Sequence, residues 1–234
     1  MIDKLNDQVS VCDWVSTYPS CAAVFEKFKI DYCCAGTLPL KKTCQEKGLD
    51  PSIVEAALRQ SFKNITEESI NWADLSLEQI IDHIVTVHHK YLLEELPSLS
   101  LLIEKVSSKH GKKIPELIEI KDIFSDLSNE IIPHMKKEEA TVFPMILQIE
   151  KGSDKRKSLS TSLKQFIVEL EQEHFVVGKI LSKMRTLTKD YSVSEVGCTS
   201  HKVLISRLHA LESDTFRHIH KENHILFPRA LRKK

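Results

Sequence analysis

The chain has 234 residues, with Lys+Arg and Asp+Glu both at 33, so its formal charge is zero. That balance excludes an ordinary nucleic-acid binder, which carries a basic surplus. The basic run Arg229, Arg232, Lys233 and Lys234 is too short to reverse it and reads as a solvated end. Hydrophobic residues at 41% permit a sizeable core, and only 6 glycines among abundant Leu, Ile, Lys and Glu favour helix.

No apolar run approaches the roughly 20 residues of a membrane span. The start, Met1 to Trp14, alternates charged and apolar residues and lacks a signal-peptide core. The expectation is a cytoplasmic protein whose six cysteines are thiols rather than a disulfide frame.

Residues 1–63 read as a small helical N-terminal domain, broken by Pro19, Gly36, Pro39, Gly48 and Pro51. Apolar clusters such as Val24–Phe25–Phe28 and Ile53–Ala57–Leu58 mark short helices. Cys33 and Cys34 are adjacent, which disfavours a disulfide between them but offers two soft ligands side by side. They are either a thiol site that passes, accepts or senses iron, or small buried residues of a helical hairpin. Cys12, Cys21, Cys44 and Cys198 show no ligand spacing and read as structural. The polar stretch 64–76 is the expected linker.

Residues 77–234 are expected to form an all-α, up-down four-helix bundle. Ser76 and Gln79 fit a capping box that opens its first helix. Four apolar stripes at steps of three and four follow. The first carries Leu77, Ile81, Ile84, Val85, Leu92 and Leu96. The second runs through Leu127, Ile131, His134, Glu138, Val142 and Met145. The third holds Leu163, Ile167, Leu170, His174, Val177, Leu181 and Met184. The fourth holds Leu204, Leu208, Leu211, Thr215, His218, Glu222 and Ile225. In the last three, imidazoles or carboxylates stand where aliphatic side chains belong.

Residues 134–147 and 218–231 both read H-x-x-K-E-x-x-x-x-F-P-x-x-L, offset by 84 positions. His134/Glu138 and His218/Glu222 are i,i+4 pairs, so each pair shares a helical face and can close on one metal or bridge two. Residues that face each other in an up-down bundle lie equally far from the turn between them. The midpoint of His89 and His134 falls at Gly111, that of His134 and His174 at Asp154 beside Gly152, and that of His174 and His218 beside Gly197. One histidine from each helix therefore reaches a common layer with Glu138 and Glu222. His88 lies in the same apolar arc as His89, and periodicity does not choose between them. His110, 21 positions past His89, would lie roughly 31 Å along a continuous helix and belongs at the hairpin tip unless Pro97 turns the chain.

Imidazole and carboxylate donors without thiolate suit Fe, Mn or Zn. With two histidines per metal and both glutamates bridging, each of two ions has four protein bonds, and an oxo or hydroxo bridge leaves a place for an outside ligand. Buried carboxylates without a cation would be costly. Hydrogen-bonded core histidines are the plain alternative, and four at one level beside a duplicated HxxxE weigh against it. His83, His88, His201, His209, His220 and His224 read as surface or supporting residues. Glu130, four before His134, and Glu173, beside His174, could orient a ligand ring or be ordinary solvated glutamates.

The order H…HxxxE…H…HxxxE over 77–231 resembles the hemerythrin-like bundle. With Asp31–Tyr32–Cys33–Cys34 at the front, HMKKEE…FPMI in the middle and HKEN…LFPRAL at the end, the chain is similar to the repair of iron centres (RIC) family. The resemblance spans nearly the whole chain. It implies a bacterial, cytoplasmic di-iron protein that restores iron–sulfur clusters after oxidative or nitrosative stress. The implied ligands are His89, His134, Glu138, His174, His218 and Glu222, which settles His89 over His88. The implied cofactor is two non-haem Fe ions, carboxylate- and oxo-bridged. The implied partners are damaged iron–sulfur proteins, with nitric oxide or oxygen as small ligands, and the implied state is a monomer or homodimer.

Two positions depart from the pattern. Oxygen-carrying hemerythrins place a histidine four residues after the third-helix ligand, where this chain has Gly178; that suits loss of iron or binding of nitric oxide better than oxygen carriage. Ala35 stands where the family usually has Gly, with Gly36 next to it. Three roles stay open: iron donation to damaged clusters, reduction of nitric oxide at the paired irons, and sensing or carrying of oxygen or nitric oxide.

Overall fold

A computed structural model describes residues 9–63, 72, 74–152, 156–192 and 198–232. Outside these lie most of the expected linker (64–71 and 73), the first eight residues, the midpoints at Asp154 and beside Gly197, and Lys233–Lys234. The described residues are almost all helical, and they divide into two compact units. One comprises residues 1–80 with Phe216–Arg232, the other Ile81–Thr215.

In the first unit, α1 (Val11–Thr17), α2 (Cys21–Lys27), α3 (Leu40–Glu46) and α4 (Pro51–Lys63) are short because Pro and turn residues punctuate the sequence. Ser10 caps α1 by accepting the Asp13 N–H at 3.2 Å. Helices α2 and α3 both pack on α4, whose Val54 and Leu58 are fully buried. The segment after Cys33–Cys34 returns to α1: Val11 N–H donates to Leu38 O at 3.0 Å and Cys12 N–H to Gly36 O at 2.9 Å. A Cβ at Gly36 would sit 2.7 Å from Tyr32 O, so this glycine is needed for a close backbone approach rather than for an unusual φ.

The C-terminal stretch belongs to the same unit. Arg217 reaches Glu26 at 3.2 Å, and Arg229 donates to Trp72 O and Leu75 O at 2.6 Å each. The unit also holds the capping box, with Ser76 N–H to Gln79 Oε1 at 2.9 Å and Gln79 N–H to Ser76 Oγ at 3.1 Å. It opens α5 (Leu77–His83).

The second unit holds α6 (Lys90–His110), α7 (Glu116–Lys137), α8 (Phe143–Glu150), α9 (Arg156–Leu187) and most of α10 (Thr199–His220). α7 packs on both α6 and α9. α10 closes the ring through Arg207, which forks onto Glu95 of α6 at 2.8 Å, and Glu212, which receives Arg185 of α9. Partners that climb one helix descend its neighbour: His89 meets Glu139 while Glu104 meets Lys121, and His134 meets Glu173 while Glu119 meets Lys183. The ring is therefore antiparallel throughout, an up-down arrangement. Its core is aliphatic, with Leu92, Leu99, Leu127, Leu170 and Leu208 all fully buried. Each such side chain contributes roughly 1.5–3 kcal/mol. Pro97 lies inside α6 without turning the chain, so His110 ends the helix at the hairpin tip.

Among the described residues, three π-helical turns interrupt the helices: Ile84–His89, Glu138–Val142 and Lys221–Leu226. The duplicated motif makes the same turn twice, each followed by Phe-Pro at the start of α8 or of α11 (Phe227–Arg232). Proline has no N–H to donate back four residues, which makes a change of step in the hydrogen-bond ladder less costly there, although Pro97 and Pro133 sit within unbroken α-helix. The extra residue rotates everything after it. Ile146 and Ile149 are buried, while Met145, expected in the stripe, is only half-buried.

Candidate metal centre

In the second unit, His89, His134, Glu138 and His174 are each at most 4% exposed. Ligand atoms of His134, Glu138 and His174 all lie within 4.8 Å of one another. His134 Nε2 and His174 Nε2 face each other at 2.9 Å. Glu138 sits between two rings, 3.4 Å from His89 Nε2 through one oxygen and 3.4 Å from His134 Nε2 through the other.

The outer nitrogens explain why the inner ones face inward. His89 Nδ1 meets Glu139 Oε1 at 2.7 Å, and His134 Nδ1 meets Glu173 Oε2 at 2.7 Å. A carboxylate on Nδ1 fixes the proton there and leaves the Nε2 lone pair for a cation, the usual support for a metal-ligating histidine. Glu173 also pairs with Lys137. His134 foremost, with Lys137, pulls the Glu173 pKa down to about 2, against its partial burial. It remains a carboxylate at any working pH. Such a donor set fits a divalent cation of the Fe, Mn or Zn class.

His88 is also buried but turns away from His89's partners, with Nδ1 2.9 Å from Asp214 Oδ1. The π turn puts two consecutive histidines inside, each with its own acceptor. Glu130, expected near His134, is exposed on α7. Spacing does not single out Glu139; its position next to Glu138 is the available signal. Cys198 and His110 meet at 3.0 Å, which neither periodicity nor ligand spacing indicated.

In the first unit, His218 and Glu222 are buried, with Nε2 2.9 Å from Oε1, and Glu222 lies on the π turn Lys221–Leu226. That turn is tied to the cysteine pair. His224 Nε2 donates to Cys33 O at 2.8 Å and Asn223 Nδ2 donates to the same oxygen at 3.2 Å. Asp31 Oδ1 accepts both the Cys33 and Cys34 N–H groups at 2.9 Å and holds their sulfurs on one side, 3.6 Å apart. Cys33 is wholly buried and Cys34 half-exposed. Burial, then the Cys34 neighbour, pushes the Cys33 thiol well up, so it stays protonated unless a cation replaces the proton.

His220 carries a pH consequence. It donates from Nε2 to Cys12 O at 2.9 Å, and burial drives its pKa down to about 3. In the unfolded chain it titrates near 6.5. Below that value the unfolded state takes up a proton that the folded state refuses, so stability falls from about pH 6.5 downward and levels off near pH 3. The slope is at most about 1.4 kcal/mol per pH unit. Denaturant midpoints measured from pH 7 to 4 should show this decline, and His220→Gln should flatten it.

The fold and these buried donors define a helical metal-binding protein. Residues 80–230 match the Hemerythrin HHE cation binding domain, and the chain belongs to that family. Residues 7–61 match a second family, ScdA_N, described as a domain of unknown function. The chain is 31% identical over 221 residues to the "Iron-sulfur cluster repair protein ScdA" of Staphylococcus epidermidis, covering 93% of this chain and 95% of that one. It is 33% identical over 219 residues to the "Iron-sulfur cluster repair protein YtfE" of Enterobacter sp., covering 93% and 94%. The YtfE of Escherichia coli O81 is 33% identical over 213 residues, covering 91% and 92%. No helix among the described residues is long and apolar enough to cross a membrane.

Proposed function

We propose that this chain repairs damaged iron–sulfur clusters in the cytoplasm, and that His89, His134, Glu138, His174, His218 and Glu222 hold two iron ions for that purpose. The observation that carries the reading is the inward-facing Nε2 set around Glu138, each of two outer nitrogens held by its own carboxylate. The relatives' names point the same way, and the family match covers all six residues in one domain. The repeated H-x-x-K-E gives Glu222 the same relation to His218 that Glu138 has to His134. Two bridging carboxylates would offset the repulsion between two cations.

Bound iron supplies the cation that a damaged cluster lacks. The protein's part is to hold that cation firmly enough to keep it and loosely enough to release it. Glu139 and Glu173 keep Nδ1 of His89 and His134 protonated, so the Nε2 atoms stay available as donors. In this reading residues 1–63 are a thiol module in which Cys33 and Cys34 receive or relay iron, and 77–234 are the bundle that holds it. Nitric oxide and oxygen are the small ligands such a centre meets under the stress it answers.

The test is to mix iron-loaded full-length protein with an iron–sulfur enzyme inactivated by peroxide or nitric oxide. Recovery of enzyme activity is expected, matched by loss of iron from about two per chain. A Cys33→Ser/Cys34→Ser variant should load iron normally but restore activity several-fold more slowly. Recovery without iron leaving the protein, or equal recovery with a zinc-loaded sample, overturns the reading.

A further inference from the structure

At the His110 end of the second unit, three side chains that the metal centre does not use come together. His110 closes α6, and Cys198 immediately precedes α10. His110 Nε2 and Cys198 Sγ are 3.0 Å apart. In the first turn of α10, His201 is 5% exposed, and its ring centroid lies 6.5 Å from that of His110. Its Nδ1 is buried without a hydrogen-bond partner among the described residues. A buried imidazole nitrogen left without a bond is costly unless something else satisfies it. His201 lines a cavity of about 390 Å³ with Lys113, Lys189, Ser192 and Glu116. Two ammonium groups against one carboxylate give that cavity a net positive lining suited to an anionic guest, with the His201 imidazole, which burial holds toward its neutral form, as a hydrogen-bonding group.

We propose that Cys198 is a modification site, a thiol activated by His110 that exchanges with small carboxylate-bearing disulfides whose remaining half occupies the His201 cavity. The thiol is half-exposed, whereas Cys12, Cys21, Cys33 and Cys44 are buried. The backbone N–H of His201, followed by that of Ser200 and the charge of Lys109, draws the Cys198 pKa below its ordinary value. A thiolate at a helix N-terminus beside an imidazole is the setting in which cysteine becomes a nucleophile. In the Cys34 pair, by contrast, the neighbouring thiol is buried and protonated.

The exchange balances without any further oxidant. His110 Nε2 takes the proton from Cys198 Sγ. The thiolate attacks one sulfur of the disulfide, a new S–S bond forms on Sγ, and the old one breaks. The departing thiolate leaves as a thiol with the proton from His110. Cys198 and half of the reagent end as a mixed disulfide, and the other half is reduced.

The experiment treats full-length protein with glutathione disulfide at neutral pH and maps the adduct by peptide mass spectrometry over time. Cys198 is expected to be glutathionylated first, ahead of Cys34 and of the four buried thiols. His110→Gln should slow the reaction about tenfold while the melting midpoint stays put. Lys113→Gln/Lys189→Gln should slow glutathione disulfide more than the uncharged reagent hydroxyethyl disulfide. Modification of Cys34 before Cys198 in the unaltered protein overturns the proposal, as does a folded His110→Gln variant that reacts as fast. The result does not depend on iron, so it stands or falls separately from the repair activity.

Discussion

Glu138→Gln is expected to leave the purified chain with less than about a tenth of its normal metal, while the metal-free protein loses no stability. The amide keeps the shape of the side chain but cannot supply negative charge to the proposed pair of cations. In the structure Glu138 is completely buried, with one oxygen toward His89 and the other toward His134 at 3.4 Å each, so its loss is felt at both rings. In the metal-free state the same carboxylate is a buried charge whose cost falls on the fold.

The two effects therefore have opposite signs. Metal should stabilise the unaltered chain by about 4 kcal/mol when present at a thousand times its dissociation constant, and should do nothing for the variant. Glu139→Gln and Glu173→Gln provide the contrast. Each removes only the support behind one ring, so metal affinity should fall roughly 10–100-fold rather than vanish. Metal analysis together with melting curves in chelator and in excess iron decides this. A Glu138→Gln protein that retains two ions refutes the bridging role.

Much of this was legible in the sequence because helix periodicity and charge placement are local. Ser76 and Gln79 announce a capping box, and Gly111 marks a break between α6 and α7 where any Cβ would meet Ser107 O at 2.6 Å. What periodicity cannot register is a change of period. The π turns at Ile84–His89, Glu138–Val142 and Lys221–Leu226 each insert a residue, so Met145 yields its expected place to Ile146 and both His88 and His89 turn inward. Phe143–Pro144 and Phe227–Pro228 were the visible trace of two of these turns, through the missing proline N–H. The first turn has no such mark. Long-range pairs were equally hidden. Nothing in the spacing of His110 and Cys198, or of Cys33 and His224, says that they meet, because such contacts depend on helix rotation as well as level.

Arg185→Leu is expected to destabilise the bundle by about 3–5 kcal/mol. Arg185, near the C-terminal end of α9, donates from Nε at 3.0 and 3.1 Å and from Nη2 at 2.6 Å to the Glu212 carboxylate of α10. Glu212 is 1% exposed. Burial raises its pKa even with the guanidinium in place, so the ion pair only partly offsets the cost of hiding the charge. Without Arg185 that offset disappears, and the carboxylate must protonate or bring water into an aliphatic core. For a chain of this length the loss corresponds to a melting midpoint roughly 6–20 °C lower.

The pH dependence of that loss identifies its cause. A carboxyl whose folded pKa is raised binds a proton more readily folded than unfolded, so its penalty shrinks as pH falls through the folded value. The gap between Arg185→Leu and the unaltered protein should therefore narrow as pH falls from neutrality. Glu212→Leu/Arg185→Leu, which removes both charges, should recover most of the lost stability at every pH. A gap that stays constant with pH, or a double variant no better than the single one, would mean that Arg185 acts by packing its aliphatic stem against α10 rather than by neutralising Glu212.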